Sequence, residues 1–153
     1  MKMKSPYKIL VMGLPGSGKT YFAKRLKKKL ECAHYNADNI REDANDWDFT
    51  DEGRLRQAHR MRTFADFEKN VTGQTVICDF VCPLEEMRQI FSPDILIFMD
   101  TIQEGRFEDT NKLFERPSPS LVDLRFEHKA ADVNVDATLK WIQVMERDVW
   151  QKQ

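Results

Sequence analysis

The chain has 153 residues, of which 41% are hydrophobic and 32% are charged, and its formal net charge is −1. This length suits one domain with a single core, so we expect residues 1–153 to fold as one unit. The near-zero charge argues against a broad positive surface for nucleic acid or an anionic membrane. The three cysteines match no paired metal-binding spacing, and no apolar run is long enough for a signal sequence or a membrane span, which favours a cytoplasmic protein.

The first half of the chain alternates between short apolar runs and segments with helical periodicity. Residues 7–12 form a β-favouring run that ends at a glycine, which predicts a buried parallel strand. Residues 34–37 predict a second short strand, and the polar, aspartate-rich stretch 38–51 follows it. Two helices are predicted from apolar side chains at helical spacing: Phe22, Ala23, Leu26 and Leu30 in the first, and Leu55, Ala58, Met61 and Ala65 in the second.

The second half continues the same alternation. Residues 75–80, 94–100 and 124–128 predict three more strands. Residues 103–120 form a polar segment that ends in a proline-rich stretch, and we interpret it as a lid-like element. Further helices are predicted from Leu84, Met87 and Ile90, and from Leu139, Ile142, Met145 and Val149. Strands that alternate with helices predict an α/β fold in three layers, with helices on both faces of a parallel sheet.

A glycine-rich motif lies between the first predicted strand and the first predicted helix. Its glycines let backbone N–H groups turn inward on phosphate groups, and the helix N-terminus adds partial positive charge. Lys19 is expected to reach the β- and γ-phosphates of ATP, and the Thr20 hydroxyl is expected to hold Mg²⁺. The motif is a complete Walker A pattern, made of Gly13, Leu14, Pro15, Gly16, Ser17, Gly18, Lys19 and Thr20.

The rest of the sequence narrows the class of P-loop protein. A motor or an AAA-type enzyme requires a longer chain than this one. A GTPase requires an Asn-Lys-x-Asp motif, and the Asp-Thr-Asn-Lys sequence at residues 109–112 does not match it. We therefore expect a kinase that transfers the γ-phosphoryl group of ATP to a small acceptor.

Four charged side chains are candidates for the transfer itself. Asp38 follows the second predicted strand, where it either accepts the proton of an acceptor hydroxyl, supports the metal, or only caps a helix. Arg41 would share its helical face and could clamp an anionic substrate or stay exposed to solvent. Asp79 ends an apolar strand, where it either approaches Mg²⁺ through water or has a structural role. Arg106, in the lid-like segment, is a candidate for contact with ATP and for neutralising transition-state charge.

The segments that follow the Walker A motif resemble those of the adenylylsulfate (APS) kinases. That family has Asp-Gly-Asp-Asn-(Ile/Val)-Arg, then Gly-Phe-Ser-x-x-Asp-Arg-x-x-Asn-Ile-Arg-Arg, then Phe-Ile-Ser-Pro. This chain has Asn-Ala-Asp-Asn-Ile-Arg at residues 36–41, Asp-Phe-Thr-Asp-Glu-Gly-Arg-Leu-Arg-Gln-Ala-His-Arg at 48–60, and Phe-Val-Cys-Pro at 80–83. The resemblance implies a P-loop kinase fold, phosphorylation of the 3′-hydroxyl of APS by ATP, and commonly a homodimer.

The resemblance also implies a role for each matching residue. Asp38 would be the catalytic or metal-linked carboxylate, and Phe49 would stack on the adenine of APS. The remaining implied contacts with APS are Arg41 and Arg54 for its phosphosulfate side, Gln57 at the position of a substrate-contacting Asn, and the backbone of Val81 and Cys82. In place of the family's residues, this chain has Asn36 for the first Asp, His59 for an Arg and Asn111 for a lid Lys. The family's Phe-Thr-Gly-Ile-Asp segment is absent, and Phe114 or Phe126 could replace its Phe.

Two alternatives stay open from the sequence. Asn36, Asp38 and Arg41 also match the pattern of polynucleotide 5′-hydroxyl kinases, so the acceptor could be a hydroxyl of nucleic acid, including a hydroxymethylated base. The lysine-rich first helix could then bind phosphates, although a solvated helix face explains it more simply. A nucleotide-binding module without catalysis is the other alternative, and Asn36 is the residue that suggests it.

Overall fold

A computed structural model describes the backbone of residues 1–151 and the side chains of residues 1–148. Its strands are β1 (Lys8–Met12), β2 (Ala33–Asn36), β3 (Val76–Asp79), β4 (Ile95–Met99) and β5 (Leu124–Phe126). Its α-helices are α1 (Lys19–Leu30), α2 (Ala37–Ala44), α3 (Asp51–Phe67), α4 (Glu85–Phe91), α5 (Glu108–Leu113) and α6 (Ala131–Gln151). The strands form one parallel sheet in the order β2-β3-β1-β4-β5, which confirms the predicted α/β fold.

Helices cover both faces of this sheet, so its central strands are buried on both sides. Along β1, Leu10 and Met12 contribute to the core formed with α2, α3 and α4, whereas Ile9 and Val11 contribute to the core formed with α1 and α6. This division follows from the two-residue repeat of a strand. It explains why residues 7–12 form a continuous apolar run in the sequence.

Helix α2 lies almost entirely in the stretch 38–51, which is predicted only as polar and aspartate-rich, with a helical face shared by Asp38 and Arg41. Asn36 caps this helix, because its Oδ1 accepts a hydrogen bond from the Asn39 N–H at 3.1 Å. Asp38 lies in the first turn and is not the cap, so that alternative is wrong. The helix buries only Ala37, Ile40 and Arg41. A stripe of two apolar residues is too short to indicate a helix from periodicity.

The C-terminal part follows the prediction with small differences at the boundaries. Strand β5 ends at Phe126, two residues before the predicted end. Helix α6 confirms the helix predicted from Leu139, Ile142 and Met145, while the side chain of Val149 lies outside the described residues. The segment 103–120 contains α5 and part of a 3₁₀ turn at Pro119–Leu121. No helix in the described part of the chain is long and apolar enough to cross a membrane.

The start of α3 packs directly against the loop that precedes it. Thr50 caps the helix, and its Oγ1 accepts a hydrogen bond from the Gly53 N–H at 3.2 Å. A Cβ atom on Gly53 would lie 2.2 Å from the carbonyl oxygen of Asp48. Only glycine therefore permits this loop to approach the helix so closely.

Replacing Gly53 with alanine is expected to lower the free energy of unfolding by about 1–3 kcal/mol, because the added methyl group overlaps the Asp48 carbonyl. At an ordinary helix position the same change would stabilise the protein by about 0.5–1 kcal/mol. Urea denaturation monitored by circular dichroism measures the difference. Glu52→Ala, at an exposed neighbouring position, is the control and should stay within about 0.5 kcal/mol of the unmodified chain. A Gly53→Ala protein of unchanged stability would contradict this packing.

Candidate active site

The carboxyl ends of β2 and β3 and the N-termini of α1 and α2 border one cavity of about 830 Å³. A volume of this size is typical of small-molecule sites. The cavity is lined by most of the residues that the sequence singled out: Pro15, Gly16, Gly18, Lys19, Thr20, Asp38, Arg41, Phe49, Arg54, Gln57, Asp79, Val81, Cys82 and Arg106. Gly13, Leu14 and Ser17, also predicted, are not part of its lining. The structure thus brings both halves of the predicted site into one space.

The glycine-rich loop is packed tightly against the end of β4. A Cβ atom on Gly13 would lie 2.6 Å from the Met99 carbonyl oxygen and 2.8 Å from Ser17 Oγ. Gly16 and Gly18 have φ angles of 87° and 92°, in the left-handed region that favours glycine. The loop therefore adopts its shape because glycines occupy these positions, and α1 begins directly after it.

Lys19 carries a buried ammonium group at the cavity wall. Its Nζ donates a hydrogen bond to the Leu14 carbonyl oxygen at 3.0 Å, and the residue is only 9% exposed. Burial lowers the Lys19 pKa to about 8, although the charges of Asp79 and Asp38 oppose this shift. The cation is incompletely compensated by protein groups, which is the condition in which a phosphate ligand is favoured.

Asp79 lies beside Thr20 and receives three protein contacts. Thr20 Oγ1 donates a hydrogen bond to Asp79 Oδ1 at 2.8 Å, and Asn36 Nδ2 donates to the same oxygen at 3.0 Å. The second carboxylate oxygen, Oδ2, contacts His34 Nε2. Asp79 is 1% exposed, so these donors replace water around a buried carboxylate. Sequence reasoning missed His34, although it lies two residues before Asn36 on the same strand.

The oxygen atoms at this position suit Mg²⁺. Among the residues that the structure describes, no group of three or more His, Cys, Asp and Glu side chains could hold a metal by itself. Mg²⁺ is typically bound by one or two protein oxygens together with substrate phosphates and water. A Thr20 hydroxyl supported by Asp79 fits that requirement.

Arg41, Arg54 and Phe49 form a cluster on the acceptor side. The guanidinium groups of Arg41 and Arg54 lie 4.4 Å and 5.4 Å from the centre of the Phe49 ring. Arg41 Nη1 donates hydrogen bonds to the backbone oxygens of Asp46 and Asp48, and Arg54 Nε donates to that of Phe49. Burial lowers the pKa of both arginines. Their other guanidinium nitrogens hydrogen-bond to none of the described residues, which leaves them available to an anion.

Gln57 lines the same cavity but is already bonded on both sides of its amide. Its Nε2 donates to the Ala37 carbonyl oxygen at 3.0 Å, and its Oε1 accepts from Arg60 Nη1 at 2.6 Å. Arg56 and Arg60 also pair with the Asp46 carboxylate at 2.8 Å, which lowers the Asp46 pKa. These contacts favour a role for Gln57 in holding α2 against α3, rather than direct contact with a ligand.

Asp38 is exposed in the first turn of α2 and lines the cavity. Its carboxylate makes no hydrogen bond to the residues that the structure describes. Its charge acts on both Lys19 and Arg41, where it opposes the effect of burial on their pKa values. An unpaired carboxylate beside buried cations has the freedom that a general base requires.

The loop of residues 81–83 is held in a strained conformation. Cys82 has a φ of 49° and precedes Pro83, so its backbone lies in the left-handed region without being glycine. Arg88, which is 3% exposed, donates from Nε to the Cys82 carbonyl oxygen at 3.1 Å and from Nη2 to that of Pro83 at 3.2 Å. Arg88 Nη2 also contacts the Glu115 carbonyl oxygen. One buried side chain thus joins this loop to the chain that follows α5.

Three aromatic residues that the sequence analysis missed also line the cavity. Tyr21, Trp47 and Phe107 are 57%, 51% and 53% exposed. No motif or periodicity marks them, although Trp47 lies near Phe49 and Phe107 follows Arg106 in the sequence. Exposed rings that line a cavity offer a ligand apolar faces on which to stack.

The prediction that Phe114 or Phe126 replaces the missing family Phe is wrong. Phe126 packs against Phe22 with ring centres 5.6 Å apart, and Phe114 packs against Phe98 at 6.1 Å. Neither ring lines the cavity. Phe107 lines it instead, and the sequence offers no signal that would distinguish these three residues.

Comparison with known proteins identifies the family and the fold. A family model described as "AAA domain" matches residues 9–112. The length argument that set AAA-type enzymes aside was therefore wrong, because the matched stretch from β1 to α5 already contains the glycine-rich loop and most of the sheet. No curated protein gives a significant sequence match.

Several solved kinase structures share the fold. The APS kinase CysC of Mycobacterium tuberculosis, in complex with AMPPNP and APS, has a TM-score of 0.75 and 20% identity, over 91% of this chain and 98% of that chain. A gluconokinase from Sinorhizobium meliloti has a TM-score of 0.69 and 15% identity, over 97% and 98% of the two chains. Shikimate kinase from Aquifex aeolicus has a TM-score of 0.64 and 16% identity, over 89% and 96%. These similarities confirm the predicted P-loop kinase fold.

Replacing Lys19 with methionine is expected to raise the free energy of unfolding at pH 7 by roughly 2 kcal/mol, because the ligand-free protein no longer buries an ammonium group. The Lys19 pKa is about 8 in the folded chain against 10.5 ordinarily, so the unfolded chain binds this proton more tightly. As the pH rises from about 8 to 10.5, the free energy of unfolding of the unmodified chain therefore increases relative to that of the variant.

Urea denaturation of both proteins at pH 7 and near the upper end of that range measures this effect. Lys24→Met, at an exposed position of α1, is the control and should show no comparable pH dependence. If the difference in the free energy of unfolding between the Lys19 variant and the unmodified chain stays constant with pH, Lys19 does not bury a charge.

Proposed function

We propose that the chain, which belongs to the AAA domain family, is an ATP-dependent kinase that phosphorylates a hydroxyl group of an anionic nucleotide. The acceptor that suits its residues best is APS, whose 3′-hydroxyl would be phosphorylated to give 3′-phosphoadenylyl sulfate. The observation that carries the proposal is the shared cavity, which is lined by Lys19 and Thr20 as well as by Arg41 and Arg54. The buried and unpaired state of the three cysteines is in line with a cytoplasmic location.

On the donor side, the glycine-rich loop and the N-terminus of α1 would bind the phosphates of ATP. The Lys19 ammonium, which burial disfavours in the ligand-free chain, would exchange the Leu14 carbonyl for phosphate oxygens. Mg²⁺, held by Thr20 together with the phosphates, would neutralise charge on the transferring group. Arg106, which also lines the cavity, would supply a further positive charge there.

On the acceptor side, Arg41 and Arg54 would bind the phosphosulfate through the guanidinium nitrogens that no described residue uses. Phe49 would stack on the adenine, and Phe107 would take the part of the Phe that the family carries in its missing segment. The backbone of Val81 and Cys82 would contact the edge of the base, in a conformation that Arg88 maintains. Asp38 would lie near the reacting hydroxyl.

The reaction is a single transfer. The 3′-oxygen of the acceptor forms a bond to the γ-phosphorus of ATP, and the bond from that phosphorus to the bridging oxygen breaks, which releases ADP. The hydroxyl proton passes to Asp38, whose carboxylate is free to accept it. Lys19 stabilises the charge that develops on the phosphate oxygens.

A hydroxyl of single-stranded nucleic acid is the second candidate acceptor. Arg25 stacks on Tyr21 with its guanidinium 3.5 Å from the ring centre, and Tyr21 and Trp47 are exposed where they line the cavity. Aromatic rings beside cations provide a surface on which successive bases can stack. The exposed lysines of α1 could extend such a surface: Lys24, Lys27, Lys28 and Lys29.

Replacing Asp38 with asparagine is expected to lower kcat by about 10²- to 10⁴-fold, because the general base is lost. The affinity for ATP should change much less. Asp43→Asn, at an exposed position of the same helix, is the matched control and should leave both quantities unchanged. Steady-state kinetics measure kcat, and ATP titration measures the affinity. An unchanged kcat would show that Asp38 is not the general base and would make Asp79 the next candidate.

The acceptor is tested by incubating the protein with Mg²⁺, ATP and APS and measuring 3′-phosphoadenylyl sulfate by chromatography. Oligonucleotides with a free 5′-hydroxyl, and DNA with hydroxymethylated bases, form parallel arms. We expect product in the APS arm. If nucleic acid is phosphorylated and no APS product forms, the acceptor is a hydroxyl of nucleic acid instead of APS. ATP binding without any product would support a non-catalytic module.

Replacing Phe107 with alanine is expected to raise the KM for APS roughly tenfold to hundredfold while the KM for ATP stays nearly constant, because one base-stacking surface is lost. Phe67→Ala is the control, since Phe67 is 51% exposed, close to the 53% of Phe107, but does not line the cavity. Equal effects of the two substitutions on the KM for APS would argue against a stacking role for Phe107.

A further inference from the structure

The side chain of His34 reaches the candidate metal site from the edge strand of the sheet. Residues 34 and 36 of β2 point to the same face, because successive side chains of a strand alternate. The register pairs Asn36 with Asp79 and His34 with Ile77 on the neighbouring strand β3. The Asp79 carboxylate therefore lies within reach of both His34 and Asn36.

The contacts around Asp79 divide its two oxygens between different partners. Oδ1 accepts hydrogen bonds from Thr20 and Asn36, whereas Oδ2 is bonded to the imidazole of His34. The side chains of His34 and Asp79 are 8% and 1% exposed. Water therefore has little access to Oδ2, and His34 is the side chain that bonds this oxygen in the described part of the chain.

We propose that His34 is a positioning residue for the Mg²⁺-binding hydroxyl of Thr20. By binding Oδ2 it fixes the rotation of the Asp79 carboxylate, so that Oδ1 stays aligned with Thr20. Thr20 then donates its proton to Oδ1, and its oxygen, which accepts a hydrogen bond from Asn36 Nδ2 at 3.2 Å, keeps its remaining lone pair for the cation. Outer partners of this kind orient metal ligands in proteins.

The inference rests on the proposed use of Mg²⁺ and ATP, but it does not depend on the acceptor. Without the His34 N–H, the Asp79 carboxylate is held only through Oδ1 by Thr20 and Asn36, and the Thr20 hydroxyl loses a rigidly oriented acceptor. The expected consequence is a weaker contribution of Mg²⁺ to nucleotide binding. Binding in the absence of Mg²⁺ depends on the loop and Lys19, whose ammonium bonds Leu14 and not His34, and should be preserved.

The test measures how strongly Mg²⁺ assists ATP binding in His34→Leu and in His34→Gln. Isothermal titration calorimetry gives the Kd of ATP with MgCl₂ and with EDTA, and the ratio of the two values is the Mg²⁺ assistance. In His34→Leu this ratio is expected to fall by a factor of about 10 to 100, while the Kd in EDTA is unchanged. His34→Gln keeps an N–H donor and is expected to retain most of the ratio.

The proposal is overturned by a His34→Leu protein with the Mg²⁺ assistance of the unmodified chain. It is equally overturned if the affinity falls by the same factor with MgCl₂ and with EDTA, because that result indicates a general structural defect. His34→Gln behaving as His34→Leu would show that the N–H donor is not the relevant property. An unmodified chain whose ATP binding does not respond to Mg²⁺ would overturn this proposal together with the proposed function.

A second measurement examines the hydrogen bond without any ligand. Nitrogen-15 NMR of the imidazole rings should show His34 carrying a proton on Nε2 that exchanges slowly with water, and Asp79→Asn should shift that signal. A His34 ring protonated only on Nδ1 would refute the arrangement. A chain that shows the His34-dependent Mg²⁺ effect but phosphorylates no acceptor would refute the proposed kinase activity and leave the role of His34 intact.

Discussion

Every strand of the sheet runs in the same direction, and this constraint places the candidate site. Because all strands end at one edge, the residues that end or follow them meet there whatever their separation in the sequence. Asn36 and Asp79 end adjacent strands and are paired in the register. The glycine-rich loop follows β1, which lies between β3 and β4. Strand pairing thus brings together side chains that contact one another at the candidate metal site.

The same edge concentrates positive charge that the ligand-free protein compensates poorly. Burial lowers the pKa values of Lys19, Arg41 and Arg54, so the folded chain is less stable than it would be with neutral side chains there. A polyanionic ligand removes this disadvantage, because its charges replace lost hydration. The buried cations therefore lower the stability of the ligand-free protein and favour the binding of a polyanion, a compromise that is common at functional sites.

The fold and the conformation of the glycine-rich loop could be predicted from the sequence, because both depend on local patterns. Strands and helices follow from periodicity, and the glycine-rich loop is a contiguous motif whose geometry its own residues dictate. The acceptor side was predicted through a family resemblance, and the structure gathers those residues in the cavity, although Gln57 is bonded on both sides by protein groups. His34 and Phe107 were missed because the roles proposed for them depend on neighbours distant in the sequence. The extent of helix α2 was missed because only two of its apolar residues are buried.

Arg88 has a consequence for engineering. It bonds the backbone on both sides of the bond between Cys82 and Pro83 and also contacts the backbone at Glu115, where the chain leaves α5. Grafting residues 81–83 alone into a related protein would separate a strained loop from the cation that maintains it. A functional transplant has to carry α4, whose last turn contains Arg88, and the segment after α5 along with the loop. Residues 81–88 and the segment at Glu115, which are separate in the sequence, therefore have to be exchanged together.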